Sequence, residues 1–133
     1  MATKLLVTLA AALEAATGIA LIADPGFVAR VLLGVGMSDG GIAVGRVGGF
    51  ALISLGLACW PSGSDAGTQA ILALTAYNLL AAFYLGYLRV GGGFVSHWLW
   101  PAFALHALLA LLLAPRAYEV VRQQRHGVTS ALS

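Results

Sequence analysis

Charged residues are scarce in this sequence. Only 9% of its 133 residues are Asp, Glu, Lys or Arg, whereas 60% are hydrophobic. A soluble globule of this size needs more polar surface than that, so the composition argues against a soluble protein and predicts a membrane protein. The seven Lys and Arg residues lie mostly towards the chain ends and form no basic face, and nucleic acid is therefore not an expected partner.

The residues of common catalytic and metal sites are equally sparse. The single cysteine, Cys59, cannot form an intrachain disulfide. His97 and His106 fall on opposite faces of one predicted helix, so they cannot share a metal ion. The aspartates lie in predicted loops, and the run Gly91 to Gly93 lacks the Lys and Ser or Thr of a phosphate loop. No enzyme class, metal site or identified cofactor is predicted.

Four long apolar segments dominate what is present. They cover about residues 5–23, 41–60, 69–88 and 95–114. A helix of nineteen residues spans about 28 Å, which is close to the hydrocarbon thickness of a bilayer. The sequence therefore predicts an all-α polytopic membrane protein, with one domain of four transmembrane helices and a basic tail over 115–133.

A short helix is expected after the first span. Asp24 can cap it, and Pro25 suits its first turn. Four apolar residues would share one face, with Arg30 on the wetter side, as in a helix at the membrane interface: Phe27, Val28, Val31 and Leu32. In the fourth span, Pro101 is expected to kink the helix.

The positive residues predict the orientation. With four spans both termini lie on one side, which carries Lys4, Arg116, Arg122 and Arg125, against Arg30 and Arg89 on the other. Positive loops stay in the cytoplasm, so we expect a multi-pass protein of the bacterial inner membrane with both termini cytoplasmic.

Three polar residues are predicted to share one depth near the middle of the membrane: Glu14, Asn78 and His106. A four-helix bundle would bury Glu14 against His106 or Asn78, with Tyr77 within reach. Polar residues at this depth mark either function or interhelical bonding. Glu14 is therefore either a neutral structural carboxyl or a functional group, whereas a structural role is favoured for His106 and Asn78.

Arg46 lies six residues into the second span, and its side chain points towards the nearer surface. It can snorkel to that surface, form a salt bridge with Glu14 or bind an anionic ligand.

Small residues line one side of the second span. Gly45, Gly49 and Gly56 are predicted to form a helix-packing face, because glycines let helices approach closely in lipid. The segment GGFALISLGL, Gly48 to Leu57, resembles the second helix of small four-helix bacterial membrane proteins of the DoxX-like kind. That resemblance implies the same four-helix architecture.

The segment LEAATG, Leu13 to Gly18, is similar to the first helix of small multidrug-resistance transporters. This similarity implies that Glu14 would bind a proton and a cation. In those transporters a Trp and Tyr residues of later helices line the site, whereas the tryptophans of this chain fall at predicted interfaces, which puts substrate binding in doubt.

Three functions follow from these patterns. The favoured one is an accessory or scaffold subunit that packs through its glycine-lined faces against another membrane protein or a second copy of itself, within the lipid bilayer. The alternatives are a proton-coupled carrier of small solutes that uses Glu14, and a lipid-, quinone- or pigment-binding subunit with His106 or His97 as ligand.

Overall fold

A computed structural model describes the backbone of residues 2–62 and 67–131, and the side chains of residues 2–62 and 67–125. These residues form five α-helices and, within the described ranges, no strand. The helices are α1 (Ala2–Ala23), α2 (Pro25–Leu33), α3 (Asp39–Ala58), α4 (Thr68–Val90) and α5 (Leu99–Ala131). Four of them, α1, α3, α4 and α5, are long and apolar enough to cross a membrane.

The prediction of an all-helical chain with four helices of membrane-spanning length is confirmed. At the end of the chain, α5 continues through Pro115 to Ala131, beyond the predicted fourth span. Most of the predicted tail over 115–133 is therefore an extension of α5, and its last two residues lie outside the described residues.

The beginning of α5 corrects two expectations. The helix begins at Leu99, so Pro101 lies in its first turn, where a backbone N–H has no partner within the helix. The predicted kink at Pro101 is therefore wrong. His97 precedes the helix. The prediction that His97 and His106 lie on the same helix is therefore wrong.

The short helix α2 is held at both ends. The Asp24 side chain accepts a hydrogen bond of 2.8 Å from the backbone N–H of Phe27 and caps its start. Gly34 ends it in the left-handed conformation, with φ at 78°. Near that end, the Ser96 hydroxyl donates to the Val31 carbonyl oxygen at 2.6 Å. This bond fixes α2 to the segment that precedes α5.

The long helices form two closely packed pairs, α1 with α3 and α4 with α5. The α1–α3 contact brings backbone against backbone: a methyl group added at Gly49 would lie 2.7 Å from the carbonyl oxygen of Gly18. One added at Gly56 would lie 2.6 Å from that of Ala11. Glycine is needed at both positions because any side chain would push the helices apart.

The two pairs meet through α1, which contacts both α4 and α5. At the end where α1 begins, the junction is a dry apolar core of eight buried residues: Val7, Ala10, Ala11, Cys59, Ile71, Leu74, Leu109 and Leu113. Towards the other end of α1, this core gives way to polar side chains and then to a cavity.

Candidate functional site

Glu14 lies on α1 at the border of the apolar core and is fully buried, with 0% of its surface exposed. The Tyr77 side chain of α4 is its electrostatic neighbour. Tyr77 is close enough to act on the carboxyl, but neither carboxyl oxygen meets it or any other described residue in good hydrogen-bonding geometry. A buried polar group without a partner costs stability, so Glu14 is a costly feature of the interior.

Asn78 and His106 form a second polar pair, which joins α4 to α5. Asn78 is also 0% exposed, and its Nδ2 atom donates to the carbonyl oxygen of Leu74 at 2.9 Å. Its Oδ1 atom lies 2.8 Å from Nδ1 of His106. The imidazole is therefore held by a residue that is itself anchored to the backbone of α4.

The Tyr77 ring links the two groups. It meets the His106 ring edge to face, with the ring centroids 6.0 Å apart and the planes at 75°. Four polar side chains from three helices thus lie in one continuous cluster: Glu14, Tyr77, Asn78 and His106.

The depths of the polar residues predicted that Glu14 lies against His106 or Asn78. The structure pairs those two residues with each other and leaves Tyr77 as the neighbour of Glu14. The helix positions place all four residues at a similar depth, but only the rotation of each helix about its axis decides which of them touch.

An apolar cavity of about 430 Å³ adjoins this cluster at the His106 side. It lies between α1, α2, α4 and α5, and His106 is the member of the polar cluster that lines it. The other lining residues are Leu13, Thr17, Ala20, Phe27, Val28, Val31, Leu32, Leu85, Trp98, Pro101, Ala102 and Leu105. Among the described residues, no acidic or basic side chain lines it besides the imidazole, so its chemistry suits a neutral, largely apolar molecule.

The apolar face of α2 forms one wall of this cavity. The four residues predicted to share that face all line it: Phe27, Val28, Val31 and Leu32. The sequence pattern predicted this apolar face and placed it at the membrane interface. It did not predict the cavity or the position of Trp98 in its wall, because a cavity is formed by several helices together.

The other predicted residues lie apart from the cluster. Arg46 on α3 is exposed. Because the carboxyl oxygens of Glu14 have no partner in the described chain, the structure does not show the salt bridge considered between these two residues. His97 is exposed and does not line the cavity.

The three glycines assigned to packing lie at contacts within this chain. Gly49 and Gly56 face α1, and a methyl group added at Gly45 would lie 2.9 Å from Cβ of Pro25 in α2. The glycine-lined side of α3 is therefore covered by the chain's own helices.

Comparisons with protein-family models, with curated proteins and with solved structures give no match to this chain. The two local resemblances in the first and second spans therefore stay predictions.

Proposed function

We propose that this chain is a multi-pass membrane protein that binds a small, neutral, largely apolar molecule taken from the bilayer. The observation that carries the proposal is the cavity between α1, α2, α4 and α5, which has apolar walls and the imidazole of His106 as a polar group. This arrangement belongs to the third function that the sequence suggested, a subunit that binds a lipid, a quinone or a pigment with His106 as ligand.

The size and shape of the cavity support this function. Its volume of about 430 Å³ falls within the range of small-molecule sites, roughly 300 to 1,000 Å³. Trp98 and Phe27, which belong to its wall, are 62% and 57% exposed, so the cavity opens towards the outside of the bundle beside them. A molecule dissolved in the bilayer can enter there without crossing water.

The orientation is part of the proposal. Lys4, Arg116, Arg122 and Arg125 favour cytoplasmic termini in the bacterial inner membrane, and the cavity then lies in the outer half of the bilayer. Single cysteines at Ser62 and Gly36, in a Cys59→Ser background, test this orientation. We expect an impermeant thiol reagent to label Gly36→Cys in intact cells, and Ser62→Cys only after the cytoplasmic side is opened. The reverse pattern would invert the orientation.

A pair of alanines on α5 provides the test of binding. Ala102 lines the cavity, whereas Ala104, two residues further along, is exposed on the outside of the helix. Ala102→Leu should fill part of the cavity, and Ala104→Leu adds the same side chain where it meets lipid. The wild-type protein and both variants are purified in mild detergent, and the small molecules bound to each are extracted and identified by mass spectrometry.

We expect one neutral apolar compound to accompany the wild type and Ala104→Leu in near-stoichiometric amount, and to be depleted at least about tenfold in Ala102→Leu. Equal amounts in all three proteins would show that the compound is bound elsewhere or is carried by the detergent, and would contradict the proposal.

The proton-coupled carrier is a second candidate, and the unpartnered carboxyl of Glu14 is the observation that favours it. Ionisable side chains buried within membrane helices form the proton pathways of many transporters. Glu14→Gln should then fold normally and abolish proton-coupled uptake or efflux in vesicles. Unchanged transport in that variant would remove this candidate.

The accessory or scaffold subunit stays a prediction, but the glycines on which it rested are covered by α1 and α2 of the same chain. Such a subunit would have to contact its partner through another face. Co-purification of a second membrane protein at a fixed ratio after gentle extraction would support it, and a particle that contains this chain alone would not.

A further inference from the structure

We infer that the molecule bound in the cavity is an alcohol or a phenol, whose hydroxyl group donates a hydrogen bond to Nε2 of His106 while its apolar body fills the space between α1, α2, α4 and α5. This inference rests on the proposed function, since it specifies the chemistry of a ligand in that cavity. It follows from three steps that begin at Asn78.

The first step is the orientation of the Asn78 amide. Its Nδ2 atom donates to the Leu74 carbonyl oxygen at 2.9 Å. The opposite orientation would place the amide oxygen against that carbonyl oxygen, and two acceptors would face each other without a proton between them. Asn78 therefore presents its oxygen, and not its NH2 group, to His106.

The second step is the tautomer of His106. Oδ1 of Asn78 can only accept, and it lies 2.8 Å from Nδ1 of His106, so Nδ1 must carry the hydrogen. In the neutral ring, Nε2 then has no hydrogen and offers a lone pair. Asn78 thus makes the free nitrogen of the imidazole an acceptor.

The third step is the place of that acceptor. Nδ1 is engaged by Asn78, and the side chain lines the cavity. The proposal places the ring edge that carries Nε2 at this wall. Within the described residues, the side-chain hydrogen bond found for this imidazole is the one at Nδ1. The wall is apolar except for His106, Thr17 and the indole of Trp98. An acceptor at His106 is best matched by a donor on the ligand.

The rest of the lining narrows the ligand class. In the part of the chain that the structure describes, no Lys, Arg, Asp or Glu lines the cavity, so an ionised headgroup such as a phosphate or an ammonium would be left without a counter-charge. A ketone or an ether would place its oxygen lone pairs against the lone pair of Nε2. A hydroxyl group supplies the missing hydrogen and remains neutral.

The experiment compares farnesol with farnesyl methyl ether, which has the same apolar chain but no donor hydrogen. Their dissociation constants are measured on the full chain in detergent micelles, for the wild type, His106→Phe and Ala102→Leu. His106→Phe keeps an aromatic ring of similar shape and removes the acceptor.

We expect farnesol to bind the wild type about 3- to 20-fold more tightly than the ether, which is the range of hydrogen bonds measured inside membrane proteins. His106→Phe should bind both compounds equally, at the affinity of the ether. Ala102→Leu should weaken both compounds together.

The two ways of failing are distinguishable. If both compounds bind the wild type equally and Ala102→Leu still weakens them, the cavity binds ligands but the hydroxyl inference is wrong. If neither compound binds, or if Ala102→Leu has no effect on either, the proposed function fails at this cavity, and the inference fails with it.

Nitrogen-15 NMR of the histidine side chains gives an independent check. We expect Nδ1 of His106 to be protonated and Nε2 to be unprotonated, and the Nε2 resonance to move on addition of farnesol but not of the ether. Asn78→Leu removes the acceptor that keeps the proton on Nδ1 of His106, so Nε2 should be protonated in part of the molecules and the preference for farnesol should fall. A proton on Nε2 in the ligand-free wild type would overturn the inference.

Discussion

The two sides of α1 differ in how they are packed. One side meets α3 with no space between the backbones: a methyl group at Gly18 would lie 2.6 Å from the carbonyl oxygen of Gly49. The other side meets α4 and α5 and, beyond the apolar core, carries an unpartnered carboxyl at Glu14 and borders a cavity of about 430 Å³. The first side is closely packed, and the second carries the cavity to which we assign ligand binding.

This difference has a physical reason. In lipid there is no hydrophobic driving force between helices, so association depends on close van der Waals contact, which small residues provide. The residues that line a cavity lose some of these contacts, and a buried polar group without a hydrogen bond lowers stability further. The chain can carry them at the junction of the two pairs because α1 is already held by α3.

The largest effect is expected at the tight side. Gly49→Leu would force a side chain into the Gly18 carbonyl oxygen, which a Cβ atom alone would approach to 2.7 Å. We expect the free energy of unfolding in mixed micelles to fall by about 3 kcal/mol. The matched control is Gly48→Leu, because a methyl group at Gly48 meets nothing within 4 Å. Equal losses in the two variants would mean that α1 and α3 are not packed at Gly49.

A smaller effect of the opposite sign is expected at Glu14. Met has nearly the same length and no polar atoms that need a partner, so Glu14→Met should raise the free energy of unfolding by about 1 kcal/mol. Glu14→Gln keeps the polar group and serves as the control, with little change expected. Both are measured by reversible unfolding in micelles. A clear loss of stability in Glu14→Met would show that the carboxyl has a partner in the folded protein.

A double-mutant cycle measures the bond that borders the cavity. Asn78→Leu, His106→Phe and the double variant should give a coupling of about 0.6 kcal/mol, and at most about 1.7. The cycle between Glu14 and His106 is the comparison, and its coupling should be smaller because no hydrogen bond joins them. A larger coupling between Glu14 and His106 than between Asn78 and His106 would support the pairing of Glu14 with His106 that their shared depth predicted.

The smallest effect is expected at the cavity wall. Ala102→Leu adds a side chain where there is space, so the free energy of unfolding should change by less than about 1 kcal/mol, in contrast to Gly49→Leu. Thermal unfolding of the purified protein measures this difference. A loss as large as that of Gly49→Leu would show that the second side of α1 is as closely packed as the first.

Local patterns were sufficient for the elements of this fold. The apolar segments, the capping residue Asp24 and the apolar face of α2 all follow from composition and helical spacing, and the structure shows each of them. The prediction of a kink at Pro101 was wrong because the effect of a proline depends on where the helix begins. The α5 boundary lay four residues later than the apolar segment suggested.

The sequence by itself determined that the chain is helical, that four of its helices can cross a membrane, and which polar residues lie near the middle of them, because length, hydropathy and depth are properties of single helices. Only the tertiary structure decided that Tyr77 lies by Glu14 and that Asn78 bonds to His106. It also decided that a cavity remains beneath α2. These features depend on the rotation and separation of several helices, which are fixed by packing between segments distant in the sequence.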